Sequence, residues 1–164
     1  MIHLICGSTG AGKTTYAGRL RAQLGALHLS IDDWMTTLFA PDSPPQAIWP
    51  WIEERLQRCE RQILVTALQA AGAGMPSILD LGLQRAEQRR RVAERASAAG
   101  IAVQLHFLDV AADERWRRVE QRNAQQGETF RLKVTRSMFD FIETLWQPPT
   151  PEEMSTLDGV RIAA

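Results

Sequence analysis

The sequence predicts an α/β protein: a three-layer sandwich in which helices cover a mostly parallel five-stranded sheet, with a further helical segment as a lid. Three observations carry that prediction. Short apolar runs alternate with segments of helical periodicity along the 164 residues, the pattern of parallel strands and their crossover helices. Gly7, Ser30, Asp80 and Asp109 each stand at or just past the end of such a run, so parallel strands bring them to one rim. The first run leads directly into GSTGAGKTT, residues 7–15, a glycine-rich turn between a strand and a helix.

Met1-Ile2-His3-Leu4-Ile5-Cys6 is apolar, is bounded by glycine and reads as the first buried strand. From Lys13 onward, Ala17, Leu20 and Leu24 recur at helical spacing. Leu27-His28-Leu29-Ser30 is a short second strand, and Ser30 with Asp33 fits a capping box just after it. Ile52, Leu56, Cys59, Ile63, Ala67 and Ala70 form one stripe on a long helix that Gly72-Ala73-Gly74 ends. Ser77-Ile78-Leu79-Asp80-Leu81 is a strand closing on Gly82, and a polar helix runs from about Gln84 to Ala99. The run from Ile101 to Leu108 is the clearest strand, and Asp109 ends it. Helices from about Ala112 to Gln125 and about Leu132 to Trp146 flank a polar turn around Gly127. Gln147-Pro148-Pro149-Thr150-Pro151 reads as a rigid loop, and Gly159 to Ala163 as a last strand. In this reading residues 1–164 are one domain with a lid over about 112–130.

The spacing of Gly7, four residues, then Gly12-Lys13-Thr14 is that of a phosphate-binding loop in its expected strand-to-helix setting. Glycines let the backbone approach an anion, so the N–H groups of Gly7, Ser8, Thr9, Gly10, Ala11 and Gly12 and the positive end of the following helix face phosphate oxygens. Lys13 would reach the β- and γ-phosphates, Thr14 supplies a hydroxyl to Mg²⁺, and Thr15 bonds the α-phosphate.

Nineteen basic and nineteen acidic residues cancel, so no net field draws the chain to nucleic acid or an anionic membrane. Cys6 and Cys59 lie on apolar stripes in no ligand-like spacing and read as buried thiols in a reducing compartment. No apolar run approaches the length of a membrane span and no leader is visible, so the expected location is cytoplasmic.

Asp33 has a structural reason to be where it is, as the partner of Ser30 in the cap. Asp32 has none, and at the tip of a strand beside the phosphate loop it is placed to take a proton from an attacking hydroxyl. The alternatives are an exposed turn acid or an exchange of roles with Asp33. Asp80, ending an apolar run, is placed to support Mg²⁺ or its waters, to hold substrate, or merely to sit at a helix N-terminus. Arg115, Arg118 and Arg122 fall on one helix face and Ala112, Trp116 and Val119 on the other. That arginine face reads as a lid that stabilises a phosphoryl transition state, or as a solvated basic surface. Arg85, Arg89, Arg90, Arg91 and Arg95 point several ways round their helix and read as solvated. Trp34, Trp49 and Trp51 either wall an acceptor pocket or anchor the core.

The loop, SIDDW, ILDLG, FLDVAADERWRRVEQRN and RSMFDFIETLWQPPTPEE together resemble the small phosphate-loop kinases that include polynucleotide 5′-hydroxyl kinase, chloramphenicol phosphotransferase and the zeta-toxin group. Many members are described only as AAA-family ATP-binding proteins. The resemblance covers most of the chain and implies a P-loop NTPase fold, ATP with Mg²⁺, and transfer of the γ-phosphoryl group to a hydroxyl. Asp32 and Arg122 fall on the catalytic aspartate and a lid arginine of polynucleotide kinase. Gln126 stands at the position of a further lid arginine, and Met35 where that kinase has a basic residue. The expected partner is therefore ATP with a hydroxyl-bearing acceptor, a small molecule in preference to a nucleic-acid end. The alternative is an ATP-binding switch or ATPase with no acceptor.

Overall fold

The computed structural model describes residues 1–44, 46, 49–125 and 133–163. Strands β1 (Ile2–Cys6), β2 (Leu27–Ser30), β3 (Ser77–Asp80), β4 (Val103–Asp109) and β5 (Val160–Ala163) form one sheet in the order β2-β3-β1-β4-β5. Every neighbouring pair is parallel. The sheet is thus wholly parallel where the sequence predicts one mostly so, because a helical crossover separates every successive pair of strands.

Helices α1 (Lys13–Leu24), α2 (Ile31–Leu38), α3 (Trp49–Gly72), α4 (Ala86–Ala98), α5 (Ala112–Gln125), α6 (Arg136–Leu145) and α7 (Pro151–Thr156) make the connections, with a 3-10 turn at Ala40–Asp42. Central β1 is buried along its whole length, and its alternation divides the core. Ile2, Leu4 and Cys6 pack with Ile63 and Ala67 of α3 and Val92 and Ala96 of α4. On the other face Ile5 packs with Ala17 and Leu20 of α1. A third cluster of Val119, Val134 and Phe139, with Trp116 against it, joins α5 to α6. Both cysteines are buried thiols, as expected, and burial pushes Cys6 up to about 12.

The predicted start of α6 at Leu132 and the turn at Gly127 lie outside the described residues. Within them α6 opens at Thr135, whose hydroxyl accepts from Met138 N at 3.3 Å. The predicted rigid loop is shorter than expected, because Pro151 begins α7. The Thr150 hydroxyl caps that helix by accepting from Glu153 N at 3.1 Å, and proline fits its first turn.

On α4 a sequence expectation is overturned. Arg89 is not solvated but wholly buried on α4. Its Nε donates to Glu153 Oε1 at 2.6 Å and its Nη2 to Glu153 Oε2 at 2.9 Å. A bidentate carboxylate from α7 thus neutralises a charge that the sequence alone assigns to water. Among the described residues, no helix is long and apolar enough to cross a membrane.

Candidate active site

The phosphate-loop sequence folds as its glycines require. Gly10 and Gly12 adopt φ of 81° and 89°, the left-handed region that glycine enters without strain. At Gly10 the fit is also steric, since a Cβ there would lie 2.4 Å from the Arg115 carbonyl oxygen. The loop curls round the lysine that follows it: Lys13 Nζ donates to Gly7 O at 2.9 Å and to Ser8 O at 3.3 Å. Burial lowers the Lys13 pKa, and the charges of Asp80 and Asp32 oppose that shift. Gly12 caps α1, leaving the helix's first N–H groups for an anion.

The parallel sheet brings the ends of β2 and β3 to this loop, whereas Asp109, ending β4 and expected at the same rim, pairs with Arg161 of β5 and does not line the cleft. Asp80, at the tip of β3, is buried and accepts from Thr14 Oγ1 at 2.9 Å. At the tip of β2, Ser30 Oγ accepts from Asp33 N at 3.2 Å. That cap starts α2 and leaves Asp32 and Asp33 exposed in its first turn. A cleft of about 1240 Å³ runs along the rim, and its walls include Lys13, Thr14, Asp32, Asp80, Arg118 and Arg122. Thr9, Gly10, Ala11, Gly12 and Thr15 also line it. Gly7 and Ser8 are buried beneath, at the root of the loop.

Arg115, Arg118 and Arg122 of α5 do not share one environment. Arg118 reaches the loop: its Nη1 would lie 3.9 Å from a Cβ on Gly12, while its Nε donates to Glu114 Oε1 at 2.7 Å. Arg122 is half-buried, and among the described residues its Nε has no hydrogen-bond partner. Burial lowers its pKa and the Asp32 charge raises it. Asp32 therefore acts electrostatically on both Lys13 and Arg122. Arg115, expected on the same face, is instead buried and paired with Glu143 of α6 at 2.6 Å. It sits beneath the loop, where its guanidinium donates to Val110 O, Thr9 O and Glu143.

Of the tryptophans, Trp34 packs against the core. Trp51 carries the Arg55 guanidinium 3.9 Å from its ring centre. Trp49 is exposed and is the one of the three that lines the cleft. Gln126 lies outside the described residues, and Met35 is a half-buried cleft residue.

Sequence reasoning missed Glu143, which accepts from Ser8 Oγ and from Arg115. The available signal was an acid on the stripe Phe139, Ile142, Trp146 of an amphipathic helix. It also missed a polar chain under α1, in which His3 Nδ1 lies 3.0 Å from His106 Nε2 and Tyr16 Oη 2.8 Å from His106 Nδ1.

A family model described as AAA domain matches residues 2–145. The fold recurs in an unliganded sugar kinase from Janibacter sp. HTCC2649, at 18% identity and TM-score 0.64 over 99% of this chain and 84% of that one. The APS kinase CysC of Mycobacterium tuberculosis, in complex with AMPPNP and APS, gives 19% identity and TM-score 0.63 over 99% and 87%. Kti12 of Chaetomium thermophilum, in complex with ADP-AlF3, gives 18% identity and TM-score 0.71 over 99% and 89%. At these identities the likeness is one of fold. No curated protein matches the sequence.

Proposed function

The chain belongs to the AAA domain family, and from that premise we propose that it is an ATP-dependent phosphotransferase acting on the hydroxyl of a small molecule. The observation that carries this reading is the position of Asp32, on the cleft wall with Lys13 and Arg122 and close enough for its charge to act on both. A nucleotide switch has no need of a carboxylate there. Residues 1–164 are read as one kinase-like unit, with 112–130 as its lid; the part described, to residue 125, packs on Gly10 and Val134 and so serves as a fixed cover rather than a closing one.

In this mechanism the loop amides from Gly7 to Gly12, the start of α1, and Thr15 hold the ATP phosphates. Lys13 leaves its carbonyl partners for the β- and γ-phosphates. Thr14 and Asp80 offer two adjoining oxygens, the donors magnesium prefers, and fit a Mg²⁺·ATP complex. An ion held by Thr14 and Asp80 would supply positive charge against the phosphates. Asp32 accepts the proton of the acceptor hydroxyl as its oxygen bonds to the γ-phosphorus and the bond to the β-phosphate oxygen breaks, releasing ADP. Arg118 and Arg122 answer the charge spread over the transferring group.

The acceptor side of the cleft supports a small molecule over a nucleic-acid end. Beyond the residues already assigned, the cleft walls carry Asp33, Glu53, Glu60 and Glu87 against Arg19, Arg85 and Arg91. Arg91 is already engaged, at 3.6 Å from Glu60 and 3.8 Å from Glu87. A polyanionic strand entering there meets like charge.

Incubation with γ-labelled Mg²⁺·ATP and a panel of hydroxyl compounds, a 5′-hydroxyl oligonucleotide among them, tests the proposal. Label should pass to a small acceptor, and Asp32→Asn should abolish transfer while ATP affinity stays within about twofold. ATP consumption that no acceptor stimulates, and that Asp32→Asn leaves unchanged, would replace this reading with the switch or ATPase.

A further inference from the structure

We infer that Arg115 and Glu143 are the positioning pair of the phosphate loop, fixing its backbone for nucleotide without touching nucleotide themselves. The inference rests on the proposed nucleotide reading of that loop.

The network is built from three separate elements. Arg115 is 5% exposed. Its Nε donates to Val110 O at 2.8 Å, just past the end of β4, and its Nη1 to Thr9 O at 3.3 Å, in the loop itself. The same guanidinium makes a two-pronged bond to Glu143, Nη1 to Oε1 at 2.7 Å and Nη2 to Oε2 at 2.6 Å. Glu143 Oε1 also accepts from Ser8 Oγ. Ser8 and Thr9 are thus held from below by one ion pair, through a side chain and a carbonyl respectively. The Arg115 guanidinium further rests over the Phe139 ring, 5.4 Å from its centre, which fixes its plane.

Two consequences follow for binding. A phosphate loop works by aiming successive N–H groups at one anion, and a carbonyl turning inward would repel that anion. The bond from Arg115 Nη1 holds the Thr9 carbonyl turned away, toward the protein. The backbone of α5 adds a steric wall, since Gly10 lies against the Arg115 carbonyl and Val119. Hydrogen bonds to Arg115 and Ser8 keep the Glu143 carboxyl below the usual range, so it stays charged at neutral pH and its grip persists. Preorganisation of this kind raises affinity by removing the ordering that binding would otherwise require.

A second buried ion pair supplies the control. Arg89 and Glu153 form a bidentate bond of 2.6 and 2.9 Å between α4 and α7, and neither residue lines the cleft. The experiment is calorimetry of AMPPNP with Mg²⁺ on the full chain, with melting temperatures measured in parallel. Glu143→Gln keeps size and shape while removing the charge, and should weaken AMPPNP roughly tenfold. Glu153→Gln should lower the melting temperature comparably yet leave affinity within about twofold. Equal affinity in Glu143→Gln and wild type, or equal weakening in both variants, overturns the positioning role. If Glu143→Gln does not fold, Ser8→Ala removes one hydroxyl donor only; weaker binding there supports the pair and unchanged binding overturns it. Wild-type protein that fails to bind AMPPNP refutes the nucleotide reading itself, and the inference falls with it.

Discussion

Thr14 Oγ1 donates to Asp80 Oδ2 across 2.9 Å, joining the first turn of α1 to the tip of β3. The bond orients both oxygens toward the same corner of the cleft, beside Lys13. Asp80→Asn preserves the shape of that corner and removes its charge. The Mg²⁺ concentration that half-saturates ATP binding should then rise by about tenfold or more, while metal-free nucleotide binds no worse. A Mg²⁺ titration monitored by nucleotide fluorescence checks this. An unchanged midpoint would leave Asp80 as a structural acid holding Thr14.

What the sequence disclosed and what it withheld divide along a physical line. The strands were legible because β1, β3 and β4 lie in the sheet interior and read as continuous apolar runs. The loop was legible because its function is written in backbone requirements that only glycine meets. The common rim followed from parallel connectivity, and it brought Lys13, Thr14, Asp32 and Asp80 into one cleft. Arg89 and Arg115 were not legible. An arginine on a helix is assigned to water unless an acid is near in sequence, whereas Glu153 and Glu143 arrive from α7 and α6. Helix α7 was hidden by the prolines around it, although Thr150-Pro151 is itself a helix start.

The buried Arg89 makes a stability prediction of definite sign. Removing one partner of a buried ion pair leaves the other charge uncompensated, at a cost of about 3 to 5 kcal/mol. Arg89→Ala should therefore shift urea unfolding strongly. The double variant Arg89→Met with Glu153→Leu, which buries no charge, should recover much of that loss. Additive effects in the double variant would show that the two side chains act independently, against the geometry.

The histidine chain predicts acid sensitivity. Burial lowers His106 from 6.5 to about 4, with the neighbouring His3 acting in the same direction. The folded state then binds fewer protons than the unfolded chain between these values, so stability is fully present above about 6.5 and is lost as pH falls toward 4. The shift corresponds to about 3 kcal/mol at most. Urea unfolding at several pH values should show a steeper decline in the wild type than in His106→Asn. Parallel slopes would assign the acid lability to carboxylates instead.

The last prediction concerns the arginines that remain over the cleft. Helix α5 is held at both ends of its working face. Gly10 abuts Arg115 and Val119, and Asn123 brackets Val134 with bonds of 2.7 and 3.2 Å. Arg118 and Arg122 are therefore carried on a docked helix, already near the phosphate loop, and little reorganisation precedes their action. Hydrogen exchange over residues 112–123 should accordingly change little when AMPPNP binds. Turnover tells the rest. Charge on the transferring group is spread most widely in the transition state, so Arg118→Ala and Arg122→Ala should each lower kcat by about 10²-fold or more, with ATP affinity changing far less. Glu114→Gln should weaken the hold on Arg118, whose Nε donates to Glu114 at 2.7 Å, and alter turnover modestly in the same assay. If both alanine variants keep full turnover, the two guanidinium groups are surface charge, and Lys13 alone answers the phosphates.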